Sequence, residues 1–357
     1  MNFQNLSEIK NTFVKELRDS QNGVKTSLPF IKHTLSASSI VAPDEIFQVI
    51  AVGGSFYQKA LMKKDNENIK IIDYSQAEQP PFLTENALLT FMEQHIDPNV
   101  STLGLNFAYP LVPITRNNLV DGVLKSGSKE NTFTGLVGKQ VGKTIEEYFQ
   151  TKHNRTITVA VANDTICLLL SGLLQYKWSQ LSAGVVGTGL NFALFLDDKT
   201  AVNLESANFN KFTVSASGHE IDSFSVSPGD ALYEKEVSGA YLFKHFNFLN
   251  NQKNLGLTPI VTTKELESYL HNANTAIAQT AREVMDHSAS LVAAQIAGIT
   301  EFCRRDLVFI MQGSLFWKGN KFKENVEKIV NELCPEYRAK FVQVPHSDLY
   351  GAAKLVA

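Results

Sequence analysis

Thr158-Val-Ala-Val-Ala-Asn-Asp-Thr165 decides the fold of this chain, together with Val185-Val-Gly-Thr-Gly-Leu-Asn191 further on. The first run is β-branched and small apolar residues, the composition of a buried strand. It stops at Asn163-Asp164 and passes at once into an apolar stretch from Thr165, so an acidic side chain stands where strand gives way to helix. The second run ends in Gly-Thr-Gly, a turn whose missing side chains let phosphate oxygens approach backbone N–H groups. A carboxylate at one strand end and a phosphate-sized turn at another point to a base beside a nucleotide. Taken alone, Asp164 reads equally well as a helix N-cap, because Asp is favoured there and an apolar helix follows.

Outward from these runs, strands and helices alternate, which favours an α/β fold. Leu6, Ile9, Phe13 and Leu17 make a helical stripe. Ile46–Val52 reads as a strand ending at Gly53-Gly54-Ser55, with Tyr57–Met62 returning as a hairpin and Ile69–Tyr74 as a further strand. The pattern predicts a helix over 87–95, a strand over 101–109, a helix over 138–149 and a strand over 157–162. It then predicts strands over 182–186, 192–196, 201–204 and 308–311. Helices are expected over 234–246, 276–300 and 322–333. The core is expected to be two units of β-hairpin plus helix, each opening with a glycine turn. Gly135 to Thr144 resembles a phosphate-binding P-loop, but Val137 stands where that loop needs its first glycine, so it is read as a helix start with exposed lysines.

Composition excludes several classes. The 357 residues suffice for about two domains with separate cores. Net charge is −3 with both signs mixed along the chain, so no footprint for nucleic acid or an anionic membrane exists. Cys167, Cys303 and Cys334 form no CxxC pair, which argues for free thiols and against a disulfide framework or zinc site. No signal peptide is expected from Met1 to Lys10, and Ile166–Leu174 is far shorter than the ~20 residues of a membrane span. The expected setting is cytoplasmic, with no protein-built metal centre and with monomer and homodimer both open.

The motifs together resemble one family. Ile50-Ala-Val-Gly-Gly-Ser-Phe56 is similar to the first phosphate turn of the hexokinase family, Leu103-Gly-Leu-Asn-Phe-Ala-Tyr-Pro110 to its sugar-domain strand, and Ala162-Asn-Asp-Thr165 to its catalytic turn. Gly187-Thr-Gly-Leu-Asn191 resembles its second phosphate loop. Val202-Asn-Leu-Glu205 and Leu232-Tyr-Glu-Lys-Glu-Val-Ser-Gly239 resemble two sugar-contacting segments. Gln312-Gly-Ser-Leu315 and Tyr350-Gly-Ala-Ala353 fall where the family has adenosine-side turns. Each motif is weak alone; their fixed order covers nearly the whole chain.

The resemblance implies a two-lobed actin-like ATPase (ribonuclease H-like) fold, each lobe a mixed sheet flanked by helices. Residues 44–163 would form the sugar-side lobe, 1–43 and 164–345 the nucleotide-side lobe, and 346–357 a return to the first. It implies ATP, magnesium bound through ATP, and transfer to the 6-hydroxyl of a hexose, glucose foremost. Asp164 would be the general base. Ser128, Lys129, Asn163, Asn191, Glu205 and Glu234 would hold sugar hydroxyls, with Lys129 also stabilising the moving phosphoryl group. Gly53, Gly54, Ser55, Gly187, Thr188, Gly189, Gly313 and Ser314 would hold the nucleotide.

Departures from the family pattern define a second reading. Ala51 stands where an Asp is usual two residues before the Gly-Gly pair, and that Asp is implied to organise metal-bound water. Gln58 stands for an Arg, Ala108 for a sugar-contacting Ser, Cys167-Leu168 for Gly-Thr, and Ser347-Asp348-Leu349-Tyr350 for a glycine-rich stretch. A non-catalytic, hexokinase-like sugar-binding protein is the alternative these changes raise; the retained Asp164 argues for the enzyme.

Overall fold

The computed structural model describes residues 3–36, 38–53, 55–65, 68–127 and 130–357. In chain order the elements begin α1 (Phe3–Gln21), β1 (Ile31–Thr34), β2 (Ile46–Gly53), β3 (Phe56–Asp65), β4 (Asn68–Glu78), α2 (Glu85–His95), β5 (Thr102–Phe107), β6 (Leu111–Arg116) and β7 (Leu119–Leu124). There follow α3 (Val141–His153), β8 (Thr158–Ala162), α4 (Asp164–Ser171), β9 (Leu181–Val186), β10 (Leu190–Phe195), β11 (Thr200–Asn203), α5 (Ala216–Ser223), α6 (Leu232–Val237) and α7 (Leu242–Gln252). The chain closes with α8 (Thr263–Tyr269), α9 (Thr275–Cys303), β12 (Leu307–Gln312), α10 (Ser314–Lys318), α11 (Phe322–Leu333), β13 (Ala339–Val342) and α12 (Ser347–Ala353).

The chain divides into two compact units. One, here the β2 unit, comprises Ile31–Ala183, Ala193–Asn203 and Val344–Ala357. Its five strands run in the order β4-β3-β2-β5-β8. β3 pairs antiparallel with β2 and β4, whereas β5 is parallel to both β2 and β8. A parallel strand buried on both faces reads as a continuous apolar run, and β2 and β5 do so because nearly every residue is buried. Edge strand β4 alternates with lysine, aspartate and glutamine and stays largely exposed. Ile50, Phe82, Phe91, Phe107, Phe133 and Val161 centre the core.

The other, the α9 unit, comprises the segments up to Phe30, Gly184–Phe192 and Leu204–Gln343. Helix α9 is its axis, with α1 and α11 packed along it. The stripe of Leu6, Ile9, Phe13 and Leu17 is buried, each side chain stabilising by about 1.5–3 kcal/mol relative to exposure. Alanines and Gly298 on α9 admit this close packing, Gly298 lying under Phe13.

Three expectations need correction. The helix predicted over 234–246 is two, α6 and α7, because Ser238 turns extended and the Gly239 N–H donates to the Gly187 carbonyl at 2.7 Å instead of continuing the ladder. The helix predicted from Gly138 begins at Val141, since Gly138 is left-handed at φ +85°. Tyr350–Ala353 is not a turn but part of helix α12, which packs on α4, β2 and β5. The hairpin β6–β7 escaped the sequence reading altogether. Asn117 and Asn118 both take positive φ at its turn, the backbone that two-residue hairpins need and that Asn tolerates.

His33 on β1 is 2% exposed, and burial pushes its imidazole down from 6.5 to about 4 against the opposing hydrogen bond to the Ile31 carbonyl. The folded state therefore prefers the neutral ring, so its contribution is complete above pH 6.5 and lost as pH falls towards 4. Urea midpoints should fall across that window by an amount equivalent to roughly 3 kcal/mol at most. His33→Gln should flatten that part of the profile; an unchanged slope would assign the acid sensitivity elsewhere.

Candidate active site

In the β2 unit the decisive junction is β8 to α4. Asn163, not Asp164, is the N-cap: its Oδ1 accepts the Ile166 N–H at 3.1 Å. Asp164 is thereby set at the first helical position with its carboxylate not needed for capping. Its Oδ1 accepts the Thr165 N–H at 2.8 Å and the Thr165 hydroxyl at 3.3 Å. Burial raises the Asp164 pKa above the ordinary carboxylate range, the negative charge of Asp348 adds to the rise, and the Thr165 bonds oppose it. A helix N-terminus tolerates that carboxylate at a cost burial alone would make higher.

Gln58, Ala51, Asn106 and Ala162 form one row across β3, β2, β5 and β8. Residues in register on neighbouring strands share a face. Asp348 of α12 lies over that row. Gln58 Nε2 stands 3.5 Å from Asp348 Oδ2, and Asn106 Nδ2 stands 3.4 Å from Asp348 Oδ1 and from its carbonyl oxygen. Helix α12 sits this close because Gly351 bears no Cβ, which would otherwise fall on the Cys167 carbonyl oxygen of α4. Gly53 ends β2 opposite Phe56, and Ser55 is exposed beyond it. Gly54, Ser128 and Lys129 lie outside the described residues.

The α9 unit gathers the other candidates. The Leu190 N–H donates to Glu234 Oε2 at 2.9 Å, and Asn191 Oδ1 accepts from Phe192 at 2.8 Å and from Ser206 at 3.3 Å. Glu205 precedes Ser206 in a left-handed conformation, φ 50° and ψ 47°, uncommon for a glutamate. Glu234 is pushed up by burial and then by the charge of Glu205, with the Leu190 bond acting against both. Asn191, Glu205 and Glu234 therefore form one amide-and-carboxylate cluster, as a polyol demands. The Gly187-Thr188-Gly189 turn is beside it: Gly187 N–H reaches the Gly189 carbonyl at 3.0 Å, and Thr188 is exposed. Gly313, at φ +109°, abuts Gly187 so closely that a Cβ would meet the Val186 backbone, and Ser314 begins α10 at the surface.

The loop that resembles a P-loop is committed to the protein. Asp121 is fully buried and accepts the Gly142 N–H at 2.8 Å and the Lys143 N–H at 3.0 Å, while Arg116 bridges it to Glu146. Its helix N-terminus is already answered by an internal carboxylate, and Lys139 and Lys143 point to solvent as read from the sequence.

Asp348 and Asn106 were missed as site residues; only the replacement of a glycine-rich stretch marked Asp348. Lys235 and Glu236 were also missed. Lys235 is buried and bonded to Asp222 at 2.5 Å. Glu236, fully buried, accepts from His287 at 2.8 Å at a cavity of about 420 Å³ that also exposes Ser217 bonded to His245 at 2.7 Å. Among the described residues no cluster of His, Cys, Asp or Glu is arranged to hold a metal by itself, and no helix is long and apolar enough to cross a membrane.

Two family models, both described as Hexokinase, match residues 55–174 and 249–357, together more than half of the chain. Hexokinase-1 of Spinacia oleracea is 22% identical over 87% of this chain and 79% of its own length, and Hexokinase-1 of Arabidopsis thaliana is 22% identical over the same shares. Among solved structures, a hexokinase from Schistosoma mansoni complexed with glucose superposes with a TM-score of 0.78 at 19% identity, covering 100% of this chain and 95% of that one. A ROK hexokinase from Thermus thermophilus gives 0.58 at 14% identity over 87% of this chain and 97% of its own. The chain belongs to the hexokinase family, phosphotransferases built on the two-lobed actin-like ATPase fold.

Proposed function

We propose that the chain transfers the γ-phosphoryl group of ATP to the 6-hydroxyl of a hexose, glucose foremost, with Asp164 as general base. One observation carries the reading: Asn163 performs the capping, so the half-buried Asp164 stands at the strand end without being the residue that caps the helix. A carboxylate whose pKa is raised by burial is a better proton acceptor than a solvated one, and phosphoryl transfer asks little else of the protein beyond orientation and charge placement.

Asn191, Glu205 and Glu234 would orient sugar hydroxyls, with Ser128, Lys129 and the Asn163 amide group completing the set. Gly53, Gly54 and Ser55 on one unit, and Gly187, Thr188, Gly189, Gly313 and Ser314 on the other, would offer N–H and hydroxyl donors to phosphates. Magnesium bound with ATP supplies charge neutralisation on the phosphates. The oxygen donors of Asp164, Asp348 and Asn106 fit such a hard ion, which prefers one or two carboxylates plus substrate phosphate and water. The same reading assigns 44–163 to the sugar-side lobe, 1–43 and 164–345 to the nucleotide-side lobe and 346–357 to the first; the compact units divide elsewhere, keeping 31–43, 164–183 and 193–203 with β2. The packing of α12 on β2 and β5 supports the last assignment. Free cysteines suit a cytoplasmic setting.

Ala51, buried between Gln58 and Asn106, favours a second reading: a sugar-binding relative that no longer transfers phosphate. Mg-ATP with a panel of hexoses separates the two. Asp164→Asn should lower kcat by about 10²–10⁴-fold while leaving calorimetric glucose affinity within a few-fold. Sugar binding without transfer by the parent protein would select the binder. The kcat/KM acid limb should lie above the ordinary carboxylate range, in the direction of the raised Asp164 pKa. Asn163→Ala should cost about 1 kcal/mol of stability through the lost cap, and Asn163→Asp should retain it; equal unfolding midpoints for the two would refute the capping role.

A further inference from the structure

The left-handed turn that carries Glu205 has a partner that the proposed transfer leaves unused. Where helix α9 is buried its side chains are mostly alanine and aliphatic, yet it brings one amide, Gln295, into that interior at 0% exposure. Gln295 Nε2 donates to the Ser206 carbonyl at 3.0 Å, and its Oε1 has no hydrogen-bond partner among the described residues. Burying an amide with half of its bonding unmet is unfavourable, and an apolar side chain of the same length would avoid it. Nor does Ser206 depend on that bond for satisfaction, because its carbonyl also accepts the Phe209 N–H at 3.2 Å. Packing and hydrogen-bond satisfaction give no account of the amide; what it holds does.

What it holds is a turn under load. Glu205 sits at φ 50° and ψ 47°, and Glu234 is pushed up by burial and then by the charge of Glu205, so the two carboxylates repel across the cluster. Repulsion of that kind would turn Glu205 aside unless its backbone were fixed. The fixing comes from two directions: Asn191 Oδ1 accepts the Ser206 N–H at 3.3 Å, and Gln295 takes the carbonyl of the same residue. Glu234 is tied to the same helix. The hydroxyl of its neighbour Tyr233 donates to the Leu291 carbonyl at 2.7 Å, and Ser288 Oγ donates to the Val237 carbonyl at 2.7 Å. Positions 288, 291 and 295 follow the i, i+3, i+7 spacing of one helical face. The Leu291 and Gln295 attachments lie about 6 Å apart along the axis, so one helix sets where both glutamate-bearing segments stand.

We propose that Gln295 is a positioning residue for sugar recognition: from the α9 axis it locks the Ser206 peptide and so sets the aim of Glu205 against Glu234 on one polyhydroxylated ligand. It acts through Glu205, without itself reaching the sugar. The inference rests on the sugar-site reading of Asn191, Glu205 and Glu234, and adds to it a residue from an element outside that cluster.

The test compares the full chain with Gln295→Met, which keeps the length and helix preference of the side chain and removes the amide. Calorimetric glucose affinity should fall about tenfold or more, while the thermal-unfolding midpoint stays level or rises because an unmatched buried oxygen has gone. A merely structural role gives the opposite pairing, a lower midpoint with glucose affinity held. Glu205→Gln supplies a second arm: once Glu205 is disabled, adding Gln295→Met should weaken glucose less than about twofold further, whereas independent effects would multiply. Hydrogen exchange reads the restraint with no ligand, and the amides of Ser206, Asn208 and Phe209 should exchange about fivefold or more faster in Gln295→Met. Should Gln295→Met fail to fold, Gln295→Leu serves in the same measurements. Unchanged glucose affinity, or losses that multiply fully in the double variant, overturns the inference. A parent that binds no glucose defeats the sugar reading instead; the exchange measurement then decides the restraint by itself, faster exchange upholding it and unchanged exchange refuting it.

Discussion

The hydrogen bond from the Ile166 N–H to Asn163 Oδ1 is the constraint on which the chemistry of the β2 unit depends. It ends β8 and starts α4 within one residue, which fixes the direction of the following carboxylate. Had Asp164 been the cap, its carboxylate would have turned to N–H groups further into the first turn; as it is, one oxygen takes only the adjacent Thr165 N–H and hydroxyl. Because the neighbouring amide takes that task, the acid remains at the strand end, half-buried and with its proton affinity raised. The same helix start is what α12 packs against, so the position of Asp348 follows from it through Gly351 and Cys167.

The α9 unit solves a different problem with the same materials. A cluster of Asn191, Glu205 and Glu234 brings like charges together, and the backbone restrains them: Leu190 and Ser206 donate N–H groups to two of the three side chains. Glu205 is held in the left-handed region, a conformation that costs of order 1 kcal/mol or more and persists only where the surroundings enforce it. Such strain is characteristic of positions selected for where they aim a side chain.

How much of this was legible in the sequence depends on the range of the interaction. The strands β2, β5 and β8 and the helices α1, α9 and α11 were readable because burial imprints period and composition locally. The acidic residue at 164 was readable, but whether it or Asn163 caps α4 was not, since both residue types cap equally well and only geometry chooses. The break at Ser238–Tyr241 was hidden because it answers to a carbonyl at Gly187, far away in the chain. Asp348 over Gln58 and Asn106 was hidden for the same reason, and so was Asp121 under Gly142, although the segment itself was read as a helix start. Short-range chemistry was visible; partners supplied from another element were not.

The β2 unit is assembled from three separate stretches of chain, and the last of them carries α12. During synthesis, strands β2 to β8 leave the ribosome long before the residues that settle over them, and the whole of 204–343 must be made in between. The strand ends around Ala51 and Asn106 therefore wait uncovered, and domains generally form in the order in which they emerge. A unit whose closing helix is the last to emerge gains a built-in delay: the Asp348 carboxylate settles over the strand row only once residues up to the 350s have been translated, so no partial chain presents it.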